Sequence, residues 1–66
     1  MNQEEYVTRM GAVESSLPME FGTYVAHEAW QRGHSAGYAE VVLIAEEMAY
    51  DLREVIAKYN KRMGIK

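Results

Sequence analysis

Sixty-six residues with no cysteine and a formal charge of −3 make one small domain that neither a disulfide framework nor a thiolate metal site can support. A chain this short buries only about 60% of the surface it exposes when unfolded, so its core is marginal and assembly is the usual remaining support. Ten Asp and Glu against seven Lys and Arg, with no long basic run, repel a polyanion and exclude duplex nucleic acid as an expected partner.

The opening Met-Asn-Gln-Glu-Glu has neither a basic region nor an apolar one, so no signal peptide is expected and a cytoplasmic location is. The longest uninterrupted apolar stretch, Val41 to Ala45, falls far short of the ~20 residues of a membrane span. No membrane association is expected.

A first helix is predicted over about residues 3–15. Asn2 can cap it, and Glu4 and Glu5 in its first turn complement the positive end of the helix dipole. Tyr6, Met10, Val13 and Leu17 recur at helical spacing on one stripe, while Gly11 weakens the helix by about 1 kcal/mol relative to Ala. Ser15-Ser16-Leu17-Pro18 reads as a break and a restart, since serine can cap and proline is tolerated in a first turn.

A second helix is predicted over about 18–32. Gly22, Ala26, Ala29 and Gly33 form a ridge of small residues that lets another backbone come close, with Phe21, Tyr24, Val25 and Trp30 as bulk beside it. Gly33 is expected just past the helix end, in the positive-φ conformation that terminates many helices, and Ser35 is expected to cap the next one.

The third helix is predicted over about 36–63, closed by Gly64, and spans about 42 Å. A heptad counted from Tyr38 puts Tyr38, Ala45, Leu52 and Tyr59 at a, Val41, Met48 and Val55 at d, and Val42, Ala49, Ile56 and Met63 at e. That broad stripe suits a bundle. Further apolar residues fall on the f and g side: Leu43, Ile44, Tyr50 and Ala57. The a, d and e positions are expected to be satisfied within the chain and the f and g surplus by another one. The fold class is therefore all-α, a three-helix arrangement of two shorter helices and one long C-terminal helix, assembling into a helical-bundle homo-oligomer. Tyr50 is the best candidate for an anchor at that interface, because aromatic residues with a polar end are enriched in interfaces.

Gly33-His34-Ser35-Ala36-Gly37-Tyr38 joins the two longest helices and has two readings. One is an anion site, with free N–H groups at the start of the third helix, donors from Arg32, His34 and Ser35, access through Gly37, and Trp30 or Tyr38 to stack on a base. The other is a plain helix junction in which each residue caps or packs. The string lacks the strand and the lysine of a P-loop. His27 and His34 lack the further ligands of a metal site, so neither metal nor cofactor is expected. Glu46 and Glu47 are adjacent on a solvated face and do not form an acid–base couple, and the serines have turn and capping roles. No enzymatic activity is expected.

From Trp30 to Leu52, the run Trp-Gln-Arg-Gly-His-Ser-Ala-Gly-Tyr-Ala-Glu-Val followed by an acidic, apolar helix resembles a type of short protein encoded by tailed bacteriophages. That resemblance covers about a third of the chain. It implies a small accessory protein acting stoichiometrically in the host cytoplasm, either blocking a host protein or sequestering a signalling molecule. The expected function is thus a non-enzymatic helical oligomer that binds and inhibits a host protein. The alternatives are a binder of a small anionic nucleotide at the Gly33–Tyr38 junction and a structural subunit of a larger assembly.

Overall fold

The computed structural model describes residues 1–64, which form three helices, α1 (Gln3–Ser15), α2 (Met19–Gly33) and α3 (Tyr38–Met63), with no strand among the described residues. The all-α class is as expected. Asn2 caps α1, its side-chain oxygen accepting from the Glu5 N–H at 2.8 Å. At the other end Gly64 takes a left-handed conformation (φ 74°), and its N–H closes on the carbonyls of Asn60 and Lys61. Both ends follow from residue types whose local chemistry is hard to mistake.

The inner ends differ from expectation. Neither Ser15 nor Ser16 caps α2. Ser16 instead closes α1, its hydroxyl donating to the Val13 carbonyl at 2.8 Å, and the Pro18 carbonyl accepts from the N–H groups of Phe21 and Gly22 in the first turn of α2. Gly33 is the last helical residue of α2 and has no positive φ. Ser35 does not cap α3. Gly37 holds that place at φ 97°, ψ 174°, a region open essentially to glycine alone, and no side chain bonds to the first turn of α3.

The ridge of small residues on α2 performs the expected role, against two different neighbours. A Cβ added at Gly22 would fall 2.7 Å from the Glu14 carbonyl oxygen of α1, and one at Gly33 would fall 2.9 Å from Val41 Cγ2 of α3. Ala29 lies fully buried between them. The helices therefore approach closely, and the largest fully buried side chains are Val25, Val41 and Val42. Met10, Val13 and Leu17 complete the core from α1 and the turn after it.

α1 runs alongside α3 in the same direction, with Tyr6 beside Tyr38, Arg9 paired with Glu46, and Ser16 near Arg53. α2 returns antiparallel and brings Gly33 back to Val41. At 1.5 Å per residue, α2 extends about 22 Å and α3 about 39 Å, close to the molecule's long dimension of 41 Å. Beyond Ala49 no described residue of α3 is buried. The a, d and e positions are therefore not all satisfied within the chain: Val55, Tyr59 and Met63 are 61%, 58% and 58% exposed. The short helices α1 and α2 end before α3 does, and its last two turns, beyond Ile56, project as an arm.

Candidate functional site

At one end of the bundle α1 contributes a ring that the junction string does not contain. Tyr6 stacks against Tyr38 with ring centroids 4.8 Å apart and meets Trp30 at 5.9 Å, while Trp30 and Tyr38 stand 6.4 Å apart. Each spacing falls in the range where aromatic pairs stabilise beyond simple burial. Burial first, then the nearby Tyr38 and Glu14, raises the Tyr6 phenol above its ordinary range. Tyr6 sits on the expected apolar stripe of α1, but only the packing direction of α1 brings it to Trp30 and Tyr38.

Trp30, His34, Gly37 and Tyr38 line one open groove of about 260 Å³, so four of the six residues of the expected anion site come together. Arg32 and Ser35 are outside it. Two residues along a helix point to nearly opposite sides, and Arg32 reaches back to Glu28 of its own helix, 3.9 Å away. His34 donates from Nδ1 to the Gln31 carbonyl at 3.2 Å. Glu40 lies in the first turn of α3, where its charge complements the dipole and competes with any anion. The groove therefore offers stacking faces and an imidazole, without the guanidinium expected there.

The outer face of α3 is a second feature. Leu43 and Tyr50, one heptad apart, are 55% and 60% exposed, and with Glu46, Glu47 and Asp51 they line a shallow depression. Ala57 continues the line and is exposed. Ile44 does not belong to this surplus. It is half-buried and packs on the core, because the core stripe extends to its side of the helix. The exposed outer face is thus Leu43, Tyr50 and Ala57, bordered by carboxylates.

The arm of α3 is a third feature. Leu52, Val55, Ile56, Tyr59 and Met63 recur at three- and four-residue spacing on one stripe, with Leu52 and Ile56 half-buried at its inner end. This stripe continues the one that α1 and α2 cover over the first half of α3. His27 is exposed and bonds with the Gln31 side chain at 3.0 Å. Among the described residues no group of three or more His, Asp or Glu could hold a metal ion, and no helix is long and apolar enough to cross a membrane. Comparison of the chain with family models, curated proteins and solved structures finds no match.

Proposed function

We propose that the chain is a non-enzymatic helical interaction protein that self-associates and binds a protein partner through the outer face of α3. The observation that carries this reading is the exposure of Leu43 and Tyr50 on one line of a single helix, ringed by Glu46, Glu47 and Asp51. An apolar and aromatic centre with a charged rim is the usual anatomy of a protein interface. The resemblance of the Trp30–Leu52 stretch to short tailed-phage proteins supports a host protein in the cytoplasm as the partner, and occupation of its surface as the mode of inhibition. The test is co-purification from the native host with the wild-type chain and with Leu43→Glu combined with Tyr50→Glu. A stoichiometric protein held by the wild type and released by the variant, at unchanged helical content, is the expected result. Equal retention by both, or no retained protein, counts against the reading.

A second reading has one observation behind it. Trp30 and Tyr38, backed by the ring of Tyr6, line a groove together with His34 and Gly37, and such a platform suits a nucleotide base. A nucleotide at 100 times its dissociation constant would add about 2.7 kcal/mol to stability. Trp30→Ala should abolish that gain and Arg32→Ala should not, and a panel of nucleotides producing no shift would dismiss this reading.

A further inference from the structure

The outer face of α3 has the geometry of a socket for another helix. Leu43, Glu46, Glu47 and Tyr50 line its depression at the spacing i, i+3, i+4 and i+7, the four-residue hole that receives one side chain of a facing helix in a coiled coil. The next such set, Tyr50, Arg53, Glu54 and Ala57, follows one heptad on, and all four of its residues are exposed. We propose that the partner segment seated here is a basic amphipathic helix, with apolar side chains at seven-residue spacing and Lys or Arg along one edge. This rests on the docking reading above and names the chemistry of its partner.

Two observations select a helix of that charge. The first is the repeat. Leu43, Tyr50 and Ala57 recur every about 10.5 Å along the axis, the rise of seven helical residues, so a second helix meets each of them with the same edge. Side chains on one face of a strand recur at about 6.6 Å and fall out of step within one repeat.

The second observation is that the two flanks of this line differ in charge. On the side toward α1, Glu46 pairs with Arg9, and Arg53 follows it beside Ser16. On the side away from α1, Glu47, Asp51 and Glu54 are exposed, and among the described residues no ion pair engages them. The next cation on that side, Lys58, comes a turn beyond Glu54. Open carboxylates therefore border one edge of the socket only, and a partner helix aligned on Leu43 and Tyr50 gains by placing its cations along that edge. The same carboxylates repel nucleic acid and anionic lipid, and a second copy offering this face would set them against themselves.

The probe is a labelled synthetic peptide of about four helical turns, with leucine at alternating three- and four-residue spacing and lysine beside that stripe, set against the same peptide with glutamate for lysine. Titrated by fluorescence anisotropy, the full chain should bind the lysine peptide and not the glutamate one. Glu47→Gln with Glu54→Gln should weaken binding about fivefold, while Glu5→Gln with Glu20→Gln, the same charge change on the exposed surface of α1 and α2, should weaken it by less than ~twofold. Leu43→Glu with Tyr50→Glu should abolish it at unchanged helicity. No binding of the lysine peptide, whether the face is empty or closed by a second copy, would overturn the inference, as would equal binding of both peptides or equal weakening by the two glutamine pairs. The co-purification above separates this from the docking reading itself. A host protein released by Leu43→Glu with Tyr50→Glu but held fully by Glu47→Gln with Glu54→Gln would remove the basic helix and leave the face, whereas one held by both variants would remove the face.

Discussion

Val41 and Val55 hold the same heptad position on α3, two heptads apart, yet Val41 is fully buried against Gly33 and Val55 is 61% exposed. Two effects separate them. A straight α-helix drifts by about 20° per heptad from a 3.5-residue repeat, so the d position leaves the seam as e enters it. Met48, midway, is half-buried, and at the far end Ile56 rather than Val55 touches the core. The other effect is that the core ends there, and no apolar residue of α3 after Ile56 packs on it.

The two valines should therefore respond differently to truncation. Val41→Ala should cost about 2 kcal/mol, a large share of the roughly 3–10 kcal/mol available to a chain of 66 residues. Val55→Ala should change stability by less than ~0.5 kcal/mol once the chain is diluted to monomer. Urea denaturation at several chain concentrations measures both.

The glycines divide in the same way. Nothing lies within 4 Å of a Cβ added at Gly11, so Gly11→Ala should stabilise by about 1 kcal/mol through helix propensity alone. At Gly22 the added carbon would meet backbone atoms of Glu14 at 2.7–3.2 Å, and the strain should outweigh that gain by about 1–2 kcal/mol. Gly37→Ala has free space and still should cost about 1–3 kcal/mol, because φ 97° is closed to a side chain. Thermal melts should place Gly11→Ala above the wild type and both Gly22→Ala and Gly37→Ala below it.

The parts of the fold that were legible in the sequence are those decided locally. Asn2 caps α1 and Gly64 ends α3 because a side-chain amide and a missing Cβ act within one turn. The close approach at Gly22 and Gly33 was also readable from small residues at helical spacing. The Ser35 cap was not, because the choice between Ser35 and Gly37 depends on how tightly Gly33 sits on Val41 and so on tertiary packing. Tyr6 joined the aromatic cluster unforeseen for a similar reason: its partners are far along the chain and meet it only once α1 lies parallel to α3. The surplus of α3 was recognised but partly misplaced. Periodicity reports which side of a helix is apolar, whereas Tyr59 and Met63 are exposed because α1 and α2 stop short along its axis, and Val55 because the core stripe has drifted to Ile56.

Tyr6 gives a pH dependence with a definite sign. Its phenol is raised above the ordinary value by burial, then by Tyr38 and Glu14, so the folded state favours the protonated form. The resulting stability is fully present below about pH 10, the unfolded value, and is lost as pH rises through the higher folded value. Melting temperature should therefore fall at alkaline pH, and Tyr6→Phe should reduce that fall while leaving neutral-pH behaviour little changed. An identical alkaline fall in wild type and variant would remove Tyr6 as its cause.

The Arg9–Glu46 ion pair joins α1 to α3, but its side chains are 37% and 44% exposed. Solvent screening should limit its coupling energy to ~1 kcal/mol or less, and raising the salt should shrink it further. A double-mutant cycle with Arg9→Ala and Glu46→Ala at low and high salt reads that value directly. A coupling of several kcal/mol would mean that the pair orients α1 on its own.

The self-association proposed above needs exposed apolar surface, and Val55, Tyr59 and Met63 at the end of α3 supply it. Light scattering across a concentration series tests this most directly, on the wild type and on Val55→Glu combined with Tyr59→Glu. From a chain mass of 7.6 kDa, the expected limiting mass is 2 × 7.6 = 15.2 kDa for the wild type, with the variant remaining at 7.6 kDa and equally helical. A wild-type chain that stays at 7.6 kDa throughout, or a variant that still doubles, would contradict it.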